Sequence, residues 1–222
     1  MQSTIPHVNL HNPAVRRRLY ITIAQKRVQP GSGSGPQTLW ARTWRQPVFD
    51  LRTILSVPFV VVGGVATRLY APERMTDDLD VLIEEKWAEK LTEELGSAGC
   101  RAGGRLAVGG SHWVLPDTMA LDVLESTESW AAEAIRQPML GPDGIPVIAL
   151  PFLILMKLRA SRGIDIGDLT RILGAASEND LDKTRTVIEA HQQDALEDLE
   201  SLIALGRLEY ALTVRDDTHT PE

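Results

Sequence analysis

Asp78 and Asp80 stand two residues apart at the head of a hydrophobic segment that contains Leu79, Val81, Leu82 and Ile83. Successive side chains on a strand point to opposite faces, so this spacing sets both carboxylates on one side. Carboxylates held that close repel each other unless a cation sits between them. Mg²⁺, a hard ion that takes oxygen ligands and is usually shared with substrate phosphates, suits the pair. Upstream, Phe59, Val60, Val61 and Val62 run into Gly63 and Gly64, the pattern of a strand, a glycine turn and a helix start. Such a turn is a place for phosphate. A third acid, Asp122, sits among Ala120, Leu121, Val123 and Leu124. An ionised Asp in an apolar strand is costly unless it is paired or binds metal. If its strand lies beside that of Asp78 and Asp80, three carboxylates converge. They could then hold two Mg²⁺ about 3.5–4 Å apart, a geometry that clamps both oxygens of an in-line phosphoryl displacement.

The elements that must position these acids follow from hydrophobic pattern and turn residues. Residues 58–62 are short, continuous and Val-rich, as in a buried strand, and 64–70 predict a short helix closed by Pro72. Residues 79–83 are the second strand. Residues 86–95 predict an amphipathic helix with Trp87, Leu91 and Leu95 four apart, ended by Gly96 and Gly99. Residues 105–108 and 112–115 flank Gly109 and Gly110 as a hairpin, and 119–124 form a further strand. A helix over 38–55 would set Trp40, Trp44 and Leu51 beneath the first strand. After Ser126 the texture becomes helical: 130–135, then 152–161 with Pro151 at its first position, then 165–176, 180–192 with Asp180 as N-cap, and 194–212. Residues 145–148 predict one more edge strand. The expected fold class is α/β: a small mixed sheet with flanking helices over 38–148, then a helical region over 149–212 and a frayed tail over 213–222.

Bulk properties bound the function classes. The 222 residues are 43% hydrophobic and 24% charged, the profile of an ordinary soluble globular protein. The single Cys100 rules out an intramolecular disulfide and fits a reducing compartment. No apolar run approaches the ~18 residues of a membrane span, and no apolar segment follows the basic residues near the start as in a signal peptide. No membrane role and a cytoplasmic location are therefore expected. No Cys/His cluster offers a zinc site, and no P-loop or Ser-His-Asp pattern is present. The net charge of −7 is uneven: residues 1–49 hold seven Lys/Arg and no Asp or Glu, which leaves −14 on the remaining 173. Pro30 to Pro36 has linker composition. Residues 1–37 thus read as a basic, disordered arm and linker, able to contact RNA or the acidic body.

Gly63 and Gly64, then Arg74, Thr76, Asp78 and Asp80, then Leu121, Asp122 and Val123, resemble the nucleotidyltransferase superfamily with the DNA polymerase β-like palm. The later series Lys157, Arg162, Asp165, Asp168 and Leu169 is similar to the AbiEii and MenT-like nucleotidyltransferase toxins of toxin–antitoxin systems and to small uncharacterised relatives. The resemblance spans roughly residues 58–173. It implies an enzyme in which Asp78, Asp80 and Asp122 bind Mg²⁺ carrying an NTP, with two ions expected. Gly63 and Gly64 let backbone N–H groups approach the phosphates, and Asp122 helps activate an acceptor hydroxyl. That hydroxyl attacks the α-phosphorus and pyrophosphate leaves. Lys157 and Arg162 would bind the triphosphate, Arg74 and Thr76 would brace the turn or touch phosphate, and Asp165 and Asp168 would lend support.

The same residues have plainer readings. Lys157 can snorkel from an amphipathic helix, Asp165 and Asp168 can be helix-start acids or partners of Arg162, and His112 and Trp113 can pack the hairpin or stack on a base. Gly64 stands where most superfamily members carry Ser, as in some toxin-like and antibiotic-modifying branches. The implied acceptor is an RNA or tRNA end, with an antitoxin as a possible protein partner. The alternatives are a small-molecule acceptor of antibiotic type, a protein hydroxyl, or a catalytically silent binding module.

Overall fold

The computed structural model describes residues 9–31, 48–71 and 78–210. The chain divides between Leu153 and Ile154 into two compact units, the second of which also takes in the N-terminal residues.

The first unit is built on a mixed sheet. Among the described residues its strands are β1 (Val60–Val61), β2 (Asp78–Glu84), β3 (Arg101–Arg105), β4 (Ser111–Val114), β5 (Ala120–Ser126), β6 (Met139–Leu140) and β7 (Pro146–Val147), ordered β3-β4-β5-β2-β1-β7-β6. β2 lies at the centre, parallel to β5 and antiparallel to β1. Its Leu79, Val81, Leu82 and Ile83 are all buried, which is why the segment is almost continuously apolar after its two acids. Helix α1 (Pro13–Arg27) belongs to the second unit; in the first, α2 (Gly63–Thr67) and α4 (Ser129–Arg136) pack against β2, and α3 (Ala88–Ser97) meets β3. Leu91 and Leu95 form the buried stripe of α3. Glu94 on the same helix accepts hydrogen bonds from the Ser56 N–H, at 2.9 Å, and its hydroxyl, tying α3 to the approach to β1.

The second unit combines α1 with the bulk of α5 (Leu150–Ala160), α6 (Gly163–Ala175), α7 (Glu178–His191) and α8 (Leu196–Tyr210). Helices α6 and α8 form its main pair, with α1 laid against both. A Cβ on Gly206 would stand 2.3 Å from the Thr170 carbonyl oxygen and 2.7 Å from the Gly174 nitrogen, so the two backbones nearly touch.

Several expectations are corrected. Instead of a disordered arm, residues 13–27 form a helix capped by Asn12 and started by Pro13. Arg17 within it is fully buried; its Nε donates to Asp198 at 2.6 Å and its Nη1 to the Leu158 carbonyl at 3.0 Å. Arg16 donates to the Ala160 and Ser161 carbonyls at the end of α5. The first hairpin strand falls at Arg101–Arg105 rather than 105–108, because Leu106 to Gly110 close the turn through Leu106 N–H to Gly110 O and Gly109 N–H to Leu106 O. Gly103 and Gly104 hide that strand from a propensity reading. Pro146 and Val147 are not the sheet edge, since β7 pairs with β1 on one side and β6 on the other. Ser177, not Asp180, caps α7, its hydroxyl accepting from the Asp180 N–H. Leu51–Thr53 is a single 3-10 turn capped by Asp50 where a longer helix was expected, and Trp40 and Trp44 lie outside the described residues.

Candidate active site

The chain leaves β1 still paired with β2, through the Val62 N–H to the Asp80 carbonyl at 2.9 Å. It then turns at Gly63, whose φ of +63° is left-handed and costly for any residue with a Cβ. A Cβ there would also lie 1.8 Å from Asp80 Oδ2. Glycine is thus demanded twice at one position, by the turn and by the carboxylate beside it. Helix α2 follows with no side-chain cap from Val62, so its first N–H groups are not taken by the capping residue. Gly64 is buried.

Strands β2 and β5 run parallel with Asp80 directly beside Asp122 and Asp78 beside Ala120. Neighbouring residues in register project from the same face, and Asp78 shares that face with Asp80 by alternation. One oxygen from each of Asp78, Asp80 and Asp122 lies within 4.8 Å of the others, with Asp78 exposed and the other two half-buried. An all-oxygen, all-carboxylate set at this spacing, open on one side, fits a hard divalent cation that keeps waters or substrate oxygens in its remaining positions.

The sheet adds one contact that the sequence does not reveal. The five-residue turn after β4, closed by the Leu115 N–H to the Met119 carbonyl, fixes the antiparallel register so that His112 faces Asp122. His112 Nδ1 lies 2.6 Å from Asp122 Oδ1. The pair depends on the β4–β5 register, which the strand pattern alone does not specify. Trp113 points to the opposite face beside Leu121, buried, with its indole N–H on the Ser111 hydroxyl at 2.9 Å. It is a packing residue.

A groove of about 600 Å³ lies between α3 and the β3–β5 strands, lined by Glu89, Glu93, Arg105, His112, Trp113 and Glu125 among others. Glu125 is three residues from Asp122, so alternation puts it on the other face of the sheet from the acids.

In the helical unit Lys157 is buried, its Nζ 2.7 Å from Asp168 Oδ2 and 3.6 Å from Asp165 Oδ1. Arg162 holds Asp165 through Nε at 2.7 Å and Nη2 at 3.1 Å, and Arg171 holds the other Asp168 oxygen at 2.7 Å. Asp165 also accepts from the Arg162 backbone N–H, closing the first turn of α6. These residues therefore meet as an ion cluster in which Lys157, Asp165 and Asp168 are buried and the two arginines reach in from the surface. Arg74 and Thr76 lie outside the described residues.

No family profile and no curated protein matches the chain. Two solved structures of the antibiotic-resistance factor ANT(2'')-Ia are similar to it. The solution structure is 20% identical at a TM-score of 0.39, covering 77% of this chain and 91% of that one. The crystal structure in complex with adenylyl-2''-tobramycin is 20% identical at a TM-score of 0.36, covering 71% and 90%. Among the described residues no helix is long and apolar enough to cross a membrane.

Proposed function

We propose that this chain is a Mg²⁺-dependent nucleotidyltransferase that moves a nucleoside monophosphate from an NTP to a hydroxyl of a small, cationic acceptor. The observation that carries the reading is the meeting of Asp78, Asp80 and Asp122 within 4.8 Å, beside the turn at Gly63. Asp78, Asp80 and Asp122 would hold the metal, which when bound supplies positive charge against the triphosphate and polarises its α-phosphate. Gly63, half-buried at the turn, puts no side chain between its backbone and the acids, so a phosphate oxygen could approach the turn there, while Gly64 is buried behind it. Asp122 would take the proton of the acceptor hydroxyl as that oxygen bonds to the α-phosphorus. The bond to the β-phosphate oxygen breaks, and pyrophosphate departs. Catalysis of this kind is mostly positioning and charge neutralisation.

The acceptor is chosen on charge. Of the described basic residues near the N-terminus, Arg16 and Arg17 are bound to this chain's own carbonyls and to Asp198, while Arg18, Lys26 and Arg27 are exposed. The residues after position 49 carry −14, which repels a polyanion and attracts a polyamine-bearing sugar of aminoglycoside type. In this reading Lys157, Arg162, Asp165 and Asp168 serve as the structural ion cluster of the helical unit, and Arg74 and Thr76 brace the entry to β2. A toxin role and an antitoxin partner gain no support from any described residue.

The test is incubation with each α-labelled NTP, Mg²⁺, a panel of aminoglycosides and total cellular RNA. Label in the small-molecule fraction, lost in Asp80→Ala, is expected. Label confined to RNA overturns the acceptor, and transfer unchanged in Asp80→Ala overturns the mechanism.

A further inference from the structure

Among the described residues His112 is the one imidazole brought against the acidic trio, and three features of the sheet hold it there. The β4–β5 register sets it opposite Asp122. Its Nδ1 lies 2.6 Å from Asp122 Oδ1, and a carboxylate offers only lone pairs, so Nδ1–H is the donor. The third feature is Gly103, at the point where the β3–β4 register shifts. A Cβ on Gly103 would lie 2.3 Å from His112 Cδ2, so the imidazole occupies space that any other residue would fill. The ring is thus seated from below and tethered at one nitrogen.

From this geometry we infer that His112 is a positioning residue for the metal site: it occupies one oxygen of Asp122 and thereby turns the other toward the space shared with Asp78 and Asp80. A carboxylate on a strand has a broad, roughly two-fold terminal torsion, so without a partner its oxygens sweep out of that space. A donor behind a ligating carboxylate fixes this torsion, and loss of such partners typically weakens metal affinity about 10–100-fold. The inference rests on the metal reading above and concerns how one ligand is aimed. Gly103 takes part as the seat of the ring.

Mn²⁺ binding, followed by loss of the free-ion electron paramagnetic resonance signal, tests it without any turnover. Wild type, Asp80→Asn, His112→Ala, His112→Asn and Gly103→Ala would be compared, each checked for an intact melt by circular dichroism. The expected result is an Mn²⁺ Kd raised at least about tenfold in His112→Ala and in Gly103→Ala, with His112→Asn near wild type because its amide N–H can replace Nδ1–H. Wild-type affinity in His112→Ala, or equal loss in His112→Ala and His112→Asn, overturns the positioning role while leaving the metal site intact. Failure of wild type itself to bind Mn²⁺ any better than Asp80→Asn removes the metal reading, and the inference with it.

Discussion

The carboxylate of Asp80 fills the space that a side chain on Gly63 would need, with Oδ2 1.8 Å from where a Cβ would stand. Turn and ligand are therefore one unit. Gly63→Ala must either swing Asp80 away from Asp78 and Asp122 or abandon the left-handed turn at φ +63°. Nucleotidyl transfer should fall about 100-fold or more, since misplacement near 1 Å costs that much. Steady-state assays read the loss; transfer within threefold of wild type in a folded Gly63→Ala would contradict the site.

The acids predict a metal-dependent stability. Mg²⁺ or Mn²⁺ at a hundred times its Kd should stabilise the native chain by about 2.7 kcal/mol, seen as a rise of several degrees in the melting temperature. Asp80→Asn and Asp122→Asn should abolish the rise. A shift of equal size in either variant would mean that the ion binds elsewhere.

The ion cluster of the second unit makes a prediction that is independent of catalysis. Lys157 is buried between Asp165 and Asp168. Its removal leaves carboxylate charge in the interior with one cation fewer to balance it. Lys157→Ala should cost about 3–5 kcal/mol, measured by urea denaturation. A cost under ~1 kcal/mol would show that Arg162 and Arg171 suffice.

Glu94 gives the pH dependence. The Ser56 hydroxyl and N–H, with Lys90 adding charge, hold its carboxyl below the ordinary value of 4.5. A depressed carboxyl contributes stability that is fully present above the unfolded value and is lost as pH falls through the folded one. Glu94→Gln keeps one acceptor oxygen for Ser56 and loses the charge, so it should cost about 0.5–1.5 kcal/mol at neutral pH, the range for one net hydrogen bond. The difference from wild type should shrink as the medium is acidified below 4.5. A constant difference down to strongly acid pH would exclude the carboxylate as its source.

The parts legible in the sequence were those with a short-range signature. Asp78 and Asp80 announced one face by their spacing, and the apolar run around Asp122 announced a strand with something to hold. The glycine turn was legible because Gly63 and Gly64 end a valine strand. What escaped depended on partners far along the chain. The Asp122–His112 contact needed the register of β4 against β5, and separately the glycines of β3 concealed that strand. The burial of Arg17 turned on Asp198, 181 residues away, so nothing local marked residues 13–27 as docked rather than loose. Lys157 carried two readings in the sequence, a phosphate-binding lysine or a snorkelling one, and its contact with two aspartates of the next helix had no local signature.

Because β2 and β5 run side by side in the same direction, the separation between Asp80 and Asp122 is bridged by everything from Glu84 to Ala120, yet their meeting depends on parity alone. The loop from Leu106 to Gly110 could be lengthened across descendants of this chain without disturbing them. One residue lost inside β5 ahead of Asp122 would instead send it to the side where Trp113 lies and bring Val123 round to face Asp80. Length variation in this lineage should therefore collect in turns, with the two acid strands holding a constant count.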